Sequence, residues 1–129
     1  MRVLALDHGQ VRTGVAISDE TGTLATPLTV IDQVESSAGQ AALLALIAER
    51  GPERVVVGLP VSLDGREHAQ AHRARAFAAR LAEAIDIPVA LYDERFTSAL
   101  ADRRGGKAAR DARAAAALLE DYLRTLRDE

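Results

Sequence analysis

The chain contains no cysteine, which excludes disulfides, thiolate zinc sites and thiol nucleophiles. No apolar run reaches membrane-spanning length. No charged leader with an apolar stretch and a small-residue cleavage site precedes the first strand pattern. A cytoplasmic protein with no membrane partner is the expectation. Lysine is almost absent, Lys107 standing alone, and alanine is abundant; both read as compositional rather than functional. Aromatic residues make up 3% of the chain, so base stacking by Tyr92 and Phe96 has thin support.

What remains is ordinary for a globular protein, with 48% apolar and 27% charged residues. A length of 129 residues and a mass of 13.7 kDa predict one domain over 1–129 with a real core. The net charge of −3 and the pI near 5.6 argue mildly against a general nucleic-acid coat. The distribution says more than the sum. Between 95 and 113 lie Arg95, Arg103, Arg104, Lys107, Arg110 and Arg113, against two acidic residues. Such a patch suits a phosphodiester substrate, although a solvated helix face accounts for the charges equally well.

The opening stretch, RVLALDHGQVRTGVAIS, organises the rest. An apolar run ends on Asp7, then a glycine-containing turn leads into a second apolar run. A carboxylate beside a core costs free energy unless it is paired or binds a metal. Runs 2–7 and 13–18 form a hairpin. After the turn at 19–22, a third run covers 23–30, and Pro27 inside it confines that strand to a sheet edge. The period then changes. Ser37 to Gln40 has capping-box spacing, Leu43, Leu46 and Ile47 mark a helical face, and Gly51-Pro52 ends the helix. RVVVGL at 54–59 is continuous, as in a strand covered on both faces. A helix over 67–85 buries Ala71, Ala74, Ala78, Leu81 and Ile85. PVALY from Pro88 is the last strand and ends at Asp93-Glu94. A short helix is expected after Thr97, Gly105-Gly106 breaks it, and a final helix covers 108–126.

The order β-β-β-α-β-α-β-α-α, with right-handed crossovers in both β-α-β units, predicts an α/β fold. Its five-stranded mixed sheet has the order 3-2-1-4-5 and helices on both faces, the ribonuclease H-like arrangement. The carboxyl ends of its three parallel strands, where open α/β sheets bind ligands, then bring Asp7, Gly58-Leu59-Pro60 and Asp93-Glu94 to one edge. In the last helix Asp111 falls within about 40° of Ala115, Leu118 and Tyr122, so it points at the sheet.

Three converging carboxylates, Asp7, Glu94 and Asp111, repel one another without a cation. Oxygen donors without nearby His or Cys favour Mg²⁺ or Mn²⁺ over zinc. One or two ions held there would support hydrolysis of a phosphodiester by metal-activated water. Asp93 is the alternative to Glu94, because the exact end of the strand decides which points inward. Taken singly, each acid has a bland explanation: a turn-capping Asp7, a solvated Glu94, a dipole-complementing Asp111. All three on one edge do not.

DHGQVRTGVAISD, VVVGLPVSLDG, YDERFTS and the closing D-x-x-x-A-x-x-L-L-x-x-Y-L resemble the YqgF/RuvX family, in the same order and over nearly the whole chain. The resemblance implies a bacterial cytoplasmic nuclease of the ribonuclease H-like fold with acidic residues Asp7, Glu94 and Asp111. It implies 5′-end maturation of pre-16S rRNA and, by analogy with RuvC, cleavage of branched DNA. His8 stands where the family often has Phe, Tyr or Pro, Val11 where lysine is common, and the segment between Glu94 and Asp111 is short.

Candidate substrate-binding residues are Gly9, which with Gly14 serves the first turn and close packing, Arg95 beside Glu94, Thr97, Lys107 and Arg110. His68 and His72, at i, i+4, fall more than about 100° from the apolar stripe of their helix, which predicts a solvated face. His8 reads as a turn histidine. Gly105-Gly106-Lys107 lacks the rest of a P-loop and reads as a joint. Two rival functions follow: a non-catalytic nucleic-acid or ribosome-assembly binding module, and an actin-like phosphotransferase, which the length disfavours. A resolvase makes two symmetric cuts and implies a twofold homodimer; a monomer favours RNA processing.

Overall fold

The computed structural model describes residues 1–60, 66–93 and 107–128. The short helix expected after Thr97 lies outside them. The strands are β1 (Val3–Asp7), β2 (Arg12–Ser18), β3 (Ala25–Asp32), β4 (Arg54–Leu59) and β5 (Val89–Asp93). The helices are α1 (Ser37–Arg50), α2 (Ala69–Ala84) and α3 (Lys107–Arg127). The strands form a sheet of order β3-β2-β1-β4-β5. β1 pairs antiparallel with β2 and β2 with β3, whereas β1–β4 and β4–β5 are parallel. This is the expected arrangement, with β1 central and the proline-bearing strand at the edge. The β2–β3 register shifts between Val15 and Ala16, opposite Thr29 and Pro27. A proline that cannot donate to the ladder is accommodated at that irregularity.

Element ends differ by a residue or two from the sequence reading, and at two of them a side chain is the cause. β3 starts at Ala25 because the Asp19 side chain captures the two residues before it, Oδ1 accepting from the Thr23 and Leu24 amides at 2.9 and 3.3 Å. An Asx-type turn therefore consumes what patterning assigns to the strand. The cap of α1 is Ser36, not Ser37: its Oγ accepts from the Gly39 amide at 3.0 Å. Gly51 ends that helix in the left-handed conformation, φ 60°, a geometry without penalty for glycine.

Side-chain alternation along β1 decides what the site can be. Leu4 and Leu6 join Val15, Val55 and Val57 under α1 and α2, where Leu43, Ala71, Ala74, Phe77, Ala78 and Leu81 cover them. Val3 and Ala5 face the other way and join Ala16 and Val56 under Ala115, Leu118, Leu119 and Tyr122 of α3. The apolar run of β4 is thus buried on both faces, as expected. The same alternation sends Asp7 to the α3 face and His8 to the α2 face.

α3 seats on β2 by removing a side chain. A Cβ on Gly14 would lie 2.0 Å from the Asp111 carbonyl oxygen and 3.1 Å from the Ala112 amide nitrogen. Only glycine permits this contact between backbones. Gly14→Ala is expected to destabilise the fold by about 3 kcal/mol, read as a lower denaturation midpoint with an unchanged m-value. An unchanged midpoint would mean that α3 does not depend on this approach.

Candidate active site

β1 delivers Asp7 to the end of the sheet, and across the antiparallel ladder its partner is Gly14. Because α3 rests its backbone on Gly14, residue 111 of the helix is carried to the neighbourhood of residue 7. The two carboxylates, distant in the chain, sense each other. Asp7 is pushed up from 3.8 to about 6, first by burial and second by the negative charge of Asp111. Both effects disfavour the ionised form.

Asp111 has a partner of its own. Arg12, at the start of β2, donates from Nε to Asp111 Oδ2 at 2.8 Å, with the side chains 31% and 25% exposed. Asp7 has no such counter-charge among the described residues. The arrangement is a carboxylate pair with one guanidinium, asymmetric because the cation sits on the more exposed acid. Among the described residues no group of three His or carboxylate side chains could hold a metal ion; Glu94, the third acid expected, lies outside them.

Other expected site residues divide in the same way. Arg95 and Thr97 lie outside the described residues, and so does the side chain of Lys107, the first residue of α3. Arg110 is half-buried beside Asp111. Gly9 sits in the hairpin loop, and a Cβ there would come 2.3 Å from the Arg12 carbonyl oxygen, so the turn itself requires the glycine. Asp93 pairs with Leu59 at the end of β5. It shares the side of Val89, which packs under α1 and α2, whereas Tyr92 packs under α3. Asp93 is thus on the opposite face from Asp7. His68 and His72 are exposed.

The chain matches the family model "RuvX: Holliday junction resolvase" over residues 1–125. The chain belongs to the RuvX family. Among relatives, a protein of Chloroflexus aurantiacus named "Putative pre-16S rRNA nuclease" is 42% identical over 130 residues, covering 94% of this chain and 85% of that one. A protein of the same name from an Anaeromyxobacter species is 41% identical over 132 residues, covering 95% and 96%. Among solved structures, Thermus thermophilus RuvC in complex with a Holliday junction substrate superposes with a TM-score of 0.57 at 19% identity, covering 98% of this chain and 96% of that one. A second T. thermophilus RuvC structure gives 0.54 at 20%, covering 99% and 97%. At those identities the likeness to RuvC shows a common ribonuclease H-like fold.

Two features of this RuvX chain escape a reading of its sequence. Arg12 is one, since nothing local marks an arginine whose partner lies 99 positions away. His8 is the other. It is not a solvated turn residue: it is 4% exposed and its ring stacks on Phe77, centroids 4.7 Å apart and planes 25° apart. Among the described residues neither ring nitrogen has a hydrogen-bond partner, and Nε2 stands 3.7 Å from Glu35 Oε2, beyond bonding distance. Burial first, then the charges of Arg73 and Arg80, lower its pKa below the usual histidine value, leaving a neutral ring at pH 7. Phe77 was the available signal, because it continues the stripe of Ala71 and Ala74 along α2.

The raised Asp7 makes stability depend on pH. A carboxyl whose folded pKa exceeds its unfolded value stabilises the fold below the unfolded pKa, and that contribution disappears as pH rises through the folded one. Asp7→Asn is therefore expected to raise the stability of the metal-free protein by about 3 kcal/mol at most near neutral pH, and to have no effect once Asp7 is protonated in both states, below about 3.8. Thermal unfolding in EDTA as a function of pH measures this; an Asn variant less stable than wild type at neutral pH would contradict the assignment.

Proposed function

We propose that this chain, read as one domain over its whole length, is a divalent-metal-dependent endonuclease that hydrolyses phosphodiesters, with 5′-end processing of pre-16S rRNA as its task. The observation that carries this is the pair Asp7 and Asp111, gathered on one face at the carboxyl end of the central strand, with Asp7 lacking a counter-charge among the described residues. Membership of a family described by Holliday junction resolution, and relatives named for pre-16S rRNA cleavage, supply the substrate class. Relatives about 40% identical carry the rRNA name, which favours RNA over branched DNA as the principal substrate.

The donor set fits a hard divalent cation. Its ligands are carboxylate oxygens, and the penalty on ionised Asp7 is one that a cation would relieve. Asp7, Asp111 and Glu94 are the residues that would hold Mg²⁺ or Mn²⁺. Asp93 is set aside because it belongs to the other face. The ion supplies Lewis-acid polarisation of the phosphodiester and an acidified water. The chain's own residues do the rest. Gly14 fixes the depth of α3 and so the position of Asp111. Arg12 occupies Asp111 Oδ2 and thereby sets the rotamer of that carboxylate. Arg95, Thr97, Lys107 and Arg110 are proposed to contact substrate phosphates, giving the local basic patch a use that the net charge of −3 does not suggest. A cytoplasmic setting follows from an rRNA substrate. No helix among the described residues is long and apolar enough to cross a membrane.

Asp7→Asn is expected to fold, to lose Mn²⁺- or Mg²⁺-dependent cleavage of a pre-rRNA 5′ fragment by about a thousandfold or more, and to lose the rise in melting temperature that either ion gives the wild type. Cleavage that survives in the variant removes the proposal. Salt-sensitive RNA binding with no metal-dependent turnover on RNA, single strands or a four-way junction would favour the non-catalytic binding module instead.

A further inference from the structure

On the far side of β1 from the two carboxylates, α2 presents Arg73, Phe77 and Arg80 at i, i+4 and i+7, one stripe facing His8. Phe77 stacks on the His8 ring, and the charges of Arg73 and Arg80 both act on that ring. The two arginines have different fates. Arg80 is ion-paired with Glu35. Among the described residues the buried Nε of Arg73 has no hydrogen-bond partner, and neither has either ring nitrogen of His8. Other arginines face carboxylates: Arg75 is doubly bonded to Glu67 at 2.6 Å, Arg12 to Asp111, Arg2 to Glu20 and Arg124 to Asp121. An arginine that buries a charged donor without an acceptor forgoes the compensation its neighbours have, and a buried unmade bond to a charged group costs several times a typical hydrogen bond. An oxyanion arriving from outside would give this guanidinium the acceptor that it lacks among the described residues.

The place fits. The crossover from β4 through α2 to the parallel β5 sets the N-terminal half of α2, where Arg73 sits, at the same end of the sheet as Asp7. His8 follows Asp7 directly in the chain, so a cation beside His8 and the carboxylates beside Asp7 flank one strand end from opposite faces. A nucleic-acid backbone lying across that edge presents one phosphate to each. Arg73's planar guanidinium suits a phosphate oxygen pair.

We propose that Arg73, one turn before Phe77 on the α2 face of the β1 terminus, is a phosphate-binding residue that grips the nucleic-acid backbone at a position neighbouring the scissile bond. The inference rests on the nuclease reading for its substrate class but not on metal or turnover.

The test is binding in EDTA, where no cleavage occurs. Fluorescence anisotropy measures the affinity of wild type, Arg73→Ala and Arg73→Lys for a labelled single-stranded RNA and for a labelled four-way DNA junction across a salt series. Arg73→Ala is expected to bind about five- to tenfold more weakly and to flatten the slope of log affinity against log salt by about one; Arg73→Lys is expected to keep the slope and lose part of the affinity. The arm that suffers more identifies which backbone the residue serves. A merely structural Arg73 would lower the melting temperature and leave the slope unchanged. Wild-type affinity and slope in Arg73→Ala overturn the proposal, as does failure of the wild-type protein to bind either probe. Binding that follows these expectations in a protein with no metal-dependent cleavage would leave Arg73 in place and remove the nuclease reading; normal cleavage by an Arg73→Ala protein with an unchanged KM would do the reverse.

Discussion

The fold depends on an approach of backbone to backbone. Where α3 crosses β2, no side chain separates them, and Gly14 lies against the peptide of Asp111. Helix-on-sheet packing ordinarily leaves about 10 Å between element axes, filled by side chains. Closing that gap at one point brings the helix backbone at Asp111 onto β2 and sets a carboxylate next to the end of the central strand. The apolar contacts further along, Ala115, Leu118, Leu119 and Tyr122 against Val3, Ala5 and Val56, hold the helix down but would tolerate a shift of register better than the glycine contact does. The geometry of the acidic pair is therefore fixed by an absence, the missing Cβ.

Placing two acids together is costly, and the chain does little to reduce the cost. Asp7 is raised to about 6, so at neutral pH it is ionised against both burial and a like charge. A fold selected for stability alone would put an apolar residue or an asparagine there, since native stability is only about 5–15 kcal/mol in total. Strain of this kind is typical of functional sites, which proteins maintain at the expense of the rest of the structure. The opposite face carries a second imbalance, a guanidinium and a neutral imidazole with buried nitrogens that have no hydrogen-bond partner among the described residues. Like charge therefore collects on one side of this strand end and a guanidinium on the other.

Much of this was legible before any coordinates. Apolar period, the proline in β3 and the Gly51 stop were enough for strand order and direction, because chain connectivity leaves few topologies once crossovers are right-handed. Helix phase was enough to turn Asp111 inward. Boundaries were less legible where a side chain competed with the backbone: Asp19 draws Thr23 and Leu24 into a turn, and Ser36 rather than its neighbour takes the capping role. Pairings across the tertiary structure were not legible at all. Arg12 to Asp111 and His8 to Phe77 depend on which elements finally touch. A histidine in a turn differs from a histidine packed into a core edge only through its neighbours.

The Arg12–Asp111 pair raises a question of magnitude. A carboxylate already bound to a guanidinium looks unavailable to a cation. Yet the pair is a quarter to a third exposed on each side, and ion pairs of that exposure contribute about 1 kcal/mol or less. A divalent ion held by several carboxylates would outweigh such an interaction. Arg12 is thus strong enough to orient Asp111 and to soften its repulsion of Asp7 in the metal-free protein, and too weak to compete for it. Replacing that arginine with a neutral residue would not free a ligand; it would leave two acids facing each other with nothing between them.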